Sequence, residues 1–282
     1  MSLAGGQFIG QYRVLRNLVA GQNSLVWEAM DPSGNRRAIK TLLADKHGDR
    51  EQIAFMKHEF SIGKNLEHPN IIRMYELLDY KGSPALVMEL FDGPNLKTTL
   101  ITKGAAALAP ALSKIILQAA EALSYFHKQG WIHRDIKPEN FLTDDQANLR
   151  MIDLALGEKK KIGFAKWFAG KSKIQGTRSY MSPEQIRGLV LDFQADIYSM
   201  GCMFFQLGSG ILPFTASNPG EVLQRHLTAP IPSLIAQESN ITPEFSALVS
   251  KMMAKKPEQR PESMAHVVSE LKKIPVFKVP PK

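Results

Sequence analysis

The chain has 282 residues, 44% hydrophobic and 22% charged, with 20 glycines and 17 prolines. This usage excludes a collagen-like, low-complexity or wholly disordered chain, and the length suits one large domain or two lobes with a sizeable core. The net charge of +8 (35 Lys and Arg against 27 Asp and Glu) favours an anionic partner, such as a nucleotide, an acidic protein, a nucleic acid or a membrane surface, without choosing among them.

One cysteine excludes an intrachain disulfide and points to a reduced, cytoplasmic setting. Residues 1–12 lack the basic start and long apolar core of a secretory signal. The longest uncharged run, residues 197–220, is broken by Gln206, Ser209, Pro213, Thr215 and Asn218. It reads as a buried helix followed by a loop, so no membrane span is expected in this chain.

Taken in chain order, the first ninety residues read mostly as strands: 12–18, 24–30 and 37–42, with a turn at Asp31-Pro32-Ser33-Gly34-Asn35. Apolar residues at 53, 56, 60, 62 and 66 predict one helix over 53–66, ended by His68-Pro69-Asn70. Strand character returns over 71–79 and 85–90. From about Asn95 the chain turns helical, with a long amphipathic segment over 110–129. Further helices are predicted over 182–187, 195–208, 219–227, 243–253 and 262–273. A strand-rich third before a helix-rich two-thirds predicts an α+β fold of two lobes with a hinge near 91–93. The boundaries expected are 1–91, 92–274 and a proline-rich tail, 275–282, that begins a linker.

The most informative string is His133-Arg134-Asp135-Ile136-Lys137-Pro138-Glu139-Asn140. Phosphoryl transfer asks for such a set: a carboxylate to orient a hydroxyl and take its proton, a cation to neutralise charge on the moving group, and an amide oxygen for a hard cation. Asp153 follows an apolar strand-like stretch and could present a carboxylate to a phosphate-bound metal. Lys40, in Ala38-Ile39-Lys40, and Glu59 on the next helix could pair and hold an ammonium toward phosphates. Singly, each of these three is more often a solvated side chain. Their order along the chain carries the case.

With these residues in place, about 12–273 resembles the eukaryotic-like (Hanks-type) serine/threonine protein kinase domain. The resemblance implies a bilobal fold with a small β-rich lobe and a larger helical one, ATP and Mg²⁺ as cofactors, and protein substrates with Ser or Thr acceptors, including possible self-phosphorylation. It makes Lys40 the lysine on the ATP phosphates and Glu59 its partner, Asp135 the catalytic base, Lys137 the phosphate-neutralising lysine, and Asn140 and Asp153 the metal ligands. Gly176 to Glu184 resembles the end of the activation segment, with Glu184 paired to Arg260, and Asp196 resembles the buried aspartate under the catalytic loop. Lys137 and Thr177 together imply Ser/Thr specificity. The adenine pocket implied has Leu18, Val26 and Ala38 above the ring, Leu142 below, Met88 at the back, and the backbone of Glu89 to Phe91 on the adenine edge.

The pattern departs in three places. Of the glycine-rich loop only Gly21 survives, with Val19 and Ser24 at the outer positions, which is expected to stiffen the loop and weaken phosphate contact. The metal motif reads Asp153-Leu154-Ala155, and an alanine that needed positive φ would be strained. The activation segment carries six lysines between 154 and 175 against Glu158 alone, so it is expected to be ordered by phosphate on Ser172 pairing with Arg134. The alternative of another class is a pseudokinase or nucleotide-binding scaffold, favoured by Val19, Ser24 and Ala155. A nucleic-acid role has only net charge behind it, and none is expected.

Overall fold

The computed structural model describes residues 7–161 and 175–281. Its contacts gather into two units: one ends at Asp92 and also takes in Asp153–Ala155, and the other holds Gly93–Ile152 and resumes at Leu156.

The first unit is a six-stranded antiparallel sheet with one long helix. Its strands are β1 (Phe8–Ile9), β2 (Tyr12–Ala20), β3 (Ser24–Met30), β4 (Arg36–Leu42), β5 (Met74–Tyr80) and β6 (Ser83–Glu89), in the order β1-β2-β3-β4-β6-β5. The β3–β4 turn is built as its residues dictate: Asp31 Oδ1 accepts from the N–H groups of Ser33 and Asn35 at 2.9 and 2.8 Å, and Gly34 takes the positive φ of 85°. Side chains alternate across the sheet. One face gives Tyr12, Val14, Trp27, Ala29, Ile39, Ala85 and Val87 to a sealed core. The other carries Val26, Ala38, Lys40 and Met88, with Val26 opposite Lys40 and Ala38 opposite Met88.

Helix α1 (Arg50–Gly63) begins three residues before the apolar spacing predicted. Asp49 sets that start by accepting from the N–H groups of Glu51 and Gln52, a polar cap that periodicity does not detect. Gly63, the last residue of the helix, packs so closely on the next strand that a Cβ there would stand 2.1 Å from the Met74 sulfur. The predicted strand over 71–79 begins only at Met74, after Ile71 and Ile72, which are buried without joining the sheet.

The second unit is helical. It contains α2 (Leu96–Lys103), α3 (Leu112–Lys128), α4 (Pro183–Ile186), α5 (Phe193–Ser209), α6 (Pro219–Thr228), α7 (Leu234–Gln237), α8 (Pro243–Met252) and α9 (Met264–Leu271). Two short antiparallel pairs join them: β7 (Trp131–Ile132) with β10 (Glu158–Lys159), and β8 (Phe141–Thr143) with β9 (Leu149–Met151). The uncharged run of the sequence is largely α5, buried from Ala195 to Gly208, and among the described residues no helix is long and apolar enough to cross a membrane. The residues after α9 differ from a linker: Thr242 N donates to Val276 O at 3.0 Å, Lys278 N to Asn240 O at 2.7 Å, and Val276 is buried. Backbone pairing of 276 and 278 with 242 and 240, with side-chain bonds from Thr242 to Pro275 O and from Asn240 to Val279 O, therefore ties 275–279 to the unit.

Candidate active site

The loop from His133 to Asn140, between β7 and β8, is held from beneath by one carboxylate. Asp196, buried in the first turn of α5, accepts from His133 N at 2.7 Å and Arg134 N at 2.8 Å, and lies 2.9 Å from His127 Nε2. Burial disfavours its charge, but these hydrogen bonds and the neighbouring histidines outweigh burial and hold its pKa below the ordinary carboxylate value. The clamp fixes Arg134 at a φ of 71°, a left-handed conformation costing about 1 kcal/mol or more outside glycine.

That turn aims Asp135. Its Oδ1 accepts from Thr177 N at 2.8 Å and Thr177 Oγ1 at 2.9 Å, and its Oδ2 from Lys137 Nζ at 2.5 Å. Lys137 Nζ also donates to Thr177 Oγ1 at 3.0 Å. Asn140 gives its Nδ2 to the Asp135 carbonyl at 2.8 Å. The arrangement is an oriented carboxylate with the Lys137 ammonium against it, able to take a proton from a hydroxyl beside a negatively charged reactant.

Two residues that sequence reasoning missed brace this cluster. Gln185 Nε2 donates to the Arg134 carbonyl at 2.8 Å. The Ser182-x-x-Gln185 capping box is complete and was legible as a helix start, but its reach to Arg134 was not. Gly176, at φ 116°, lies so close that a Cβ would stand 2.9 Å from the same carbonyl. The second missed residue is Glu158, whose Oε2 meets Arg134 Nη1 at 3.0 Å. Farther off, Glu184 and Arg260 make the expected buried pair, at 2.6 and 2.9 Å.

The first unit holds the other cluster. Lys40, on the open face of β4, donates to Glu59 Oε2 of α1 at 2.8 Å, with Asp153 Oδ1 at 3.9 Å. Burial acts against the charged ammonium, yet the carboxylates of Glu59 and Asp153 outweigh it and raise the Lys40 pKa. Leu154 is fully buried, and its N–H donates to Glu59. The strain expected at Ala155 is absent: the positive φ of the motif, 61°, falls on Asp153, and Ala155 is not among the described residues with positive φ.

Of the residues expected around adenine, Val26, Met88 and Leu18 are half-buried on the first unit and Ala38 is buried. Leu142 is half-buried on β8 of the second. The Glu89 N–H is given to Arg73 O at 2.8 Å, so a donor to an adenine edge from this stretch must come from beyond Glu89. Gly21 closes the β2–β3 turn by donating to Ser24 O at 2.9 Å.

The activation-segment lysines that lie within the described residues are paired rather than mutually repelling. Lys159 Nζ donates to Gln129 O at 2.7 Å and sits 4.4 Å over the Trp131 ring, Lys160 sits 4.4 Å over Phe193, and Lys161 meets Glu158 at 3.0 Å. Lys166, Lys171, Ser172 and Lys173 lie outside the described residues, and so does the expected phosphate switch at Ser172.

A sequence profile described as the protein kinase domain matches residues 12–273. Among curated proteins, the chain is 29% identical over 269 residues to the probable serine/threonine-protein kinase pknA2 of Bifidobacterium longum, covering 94% of this chain and 35% of that protein. It is 30% identical over 271 residues to serine/threonine-protein kinase PrkC of Bacillus subtilis (96% and 41%) and 32% identical over 269 residues to serine/threonine-protein kinase PknF of Mycobacterium tuberculosis (92% and 55%). The chain thus spans between about a third and just over half of the length of these relatives.

Proposed function

The chain belongs to the protein kinase domain family, and we propose from this that it transfers the γ-phosphoryl of ATP to serine or threonine hydroxyls of proteins, with Mg²⁺ as the metal. The observation that carries the reading is the Asp135 carboxylate, oriented by Thr177 and countered by Lys137 at 2.5 Å. An acceptor hydroxyl gives its proton to Asp135 as its oxygen bonds the γ-phosphorus and the bond to the bridging oxygen of the leaving diphosphate breaks. Lys137 lowers the cost of charge on the moving group. Lys40, kept protonated by Glu59, supplies the cation for the other phosphates, and Val26, Ala38, Met88, Leu18 and Leu142 offer the apolar surfaces for the purine.

The donors suit a hard divalent cation. Asn140 commits its nitrogen to the Asp135 carbonyl, so its oxygen is the end able to meet a metal, and the Asp153 side chain is 40% exposed. When bound, the metal would neutralise phosphate oxygens.

A cytoplasmic setting fits the single cysteine. Cys202 is fully buried in α5, and burial pushes its thiol up to about 12, so it behaves as an apolar core residue rather than a nucleophile. The substrates include proteins with exposed hydroxyl side chains and copies of the chain itself.

The test incubates the chain with Mg²⁺ and γ-labelled ATP, alone and with a generic protein substrate, and analyses the phosphoamino acids. Label on serine and threonine, lost on chelation, is expected. Nucleotide binding without transfer would replace this reading with that of a nucleotide-binding scaffold.

A further inference from the structure

Beside the Asp135 cluster, within the second unit, lies an open groove of about 490 Å³. One wall is Thr177-Arg178-Ser179, and the other is the turn from Ala216 into α6, with Val222. Thr177 belongs to both places, since its hydroxyl donates to Asp135 Oδ1 at 2.9 Å. Such a volume accommodates a short extended segment, at about 3.3 Å per residue, leading to a hydroxyl at Asp135.

The charges in this groove are unequal. Arg178 is exposed, lines the groove, and has no carboxylate partner among the described residues. Glu221, next to Val222 in the first turn of α6, is occupied: it meets Arg225 at 2.9 Å and accepts from Ser217 Oγ at 3.4 Å. Lys137 is likewise engaged, by Asp135 and Thr177. The side chains of Ala216, Pro219 and Val222 add apolar contact but no charge. Among the described residues lining the groove, an incoming segment therefore meets one uncompensated cation, a planar guanidinium with several donors that suits a carboxylate.

We propose that Arg178 is a specificity determinant, selecting protein segments that carry an acidic side chain a few residues from the accepting hydroxyl. This rests on the phosphoryl-transfer reading and names its substrate class. Because Arg178 is exposed, the pair would be worth up to about fivefold in kcat/KM and would fade as salt rises.

The experiment uses matched serine peptides with glutamate, glutamine or lysine placed at each flanking position in turn. Transfer and, separately, peptide binding by fluorescence anisotropy are measured for the parent, Arg178→Lys and Arg178→Glu. The parent should prefer glutamate at one or two positions by about three- to fivefold, Arg178→Lys should keep most of the preference, and Arg178→Glu should reverse it toward lysine. Equal use of the three peptides by the parent, or a glutamate preference that survives Arg178→Glu, overturns the proposal. Arg178-dependent binding of the glutamate peptides without transfer upholds this selectivity and sinks the catalytic reading, so the two fail separately.

Discussion

Glu158 Oε2 stands 3.0 Å from Arg134 Nη1, and Glu158 Oε1 stands 3.0 Å from Lys161 Nζ. Arg134 precedes Asp135, and its side chain is only 10% exposed. The carboxylate thus fixes a largely buried guanidinium next to the acceptor-orienting aspartate, while its own backbone pairs with Ile132 in the β7–β10 ladder. A phosphate on Ser172 would have to share or displace this partner. We therefore expect Glu158→Gln to lower transfer about three- to tenfold and stability by about 1–2 kcal/mol. Ser172→Ala should keep most of the parent's rate. Initial rates and thermal melts of the parent and both variants check this, and loss of transfer in Ser172→Ala alone would return control to the phosphate.

Asp196 makes the fold acid-sensitive in a defined direction. Its folded pKa lies below the ordinary carboxylate value of 3.8, so it contributes stability above that value and loses it as pH falls through the folded pKa. Asp196→Asn removes that contribution and leaves the His133 and Arg134 amides with a poorer acceptor, at a cost of about 2–4 kcal/mol near neutrality. Urea unfolding from pH 7 downward should show the difference between parent and variant shrinking in acid. A difference that stays constant to pH 2 would remove Asp196 from this role.

The β2–β3 turn offers a gain-of-function test. Val19 is 57% exposed and Ser24 is fixed by its carbonyl on Gly21 N. Val19→Gly with Ser24→Gly removes two Cβ groups and should lower the KM for ATP about two- to threefold. The loop pays in ordering entropy, by about 0.5–1 kcal/mol of stability per glycine. ATP titrations and melts of the two forms read both effects, and an unchanged or raised KM would mean that this loop holds phosphate without the missing glycines.

Much of the scaffold was legible because it depends on local chemistry. Strand alternation placed β3 at its observed limits, and the apolar face of α3 was visible in its spacing. The acidic and basic residues of both clusters stood in recognisable strings. What stayed hidden depends on non-local geometry. Glu158 was one acid among lysines until β10 paired with β7, and Gln185 was a capping residue until its amide met the Arg134 carbonyl. The strain assigned to Ala155 falls instead on Asp153, because φ along a three-residue motif is set by the contacts around it rather than by its letters. Likewise, proline content suggested the start of a linker where the backbone of 276 and 278 pairs with 242 and 240.

The central claim is that Asp135 orients and deprotonates the acceptor without holding the nucleotide. Single-turnover transfer by Asp135→Asn, with ATP affinity measured on the same preparation, tests it most directly. The amide keeps the shape of the side chain but not its basicity, so transfer should fall by about 10²- to 10⁴-fold while ATP binding stays within about twofold of the parent. Transfer at the parent's rate would contradict the account.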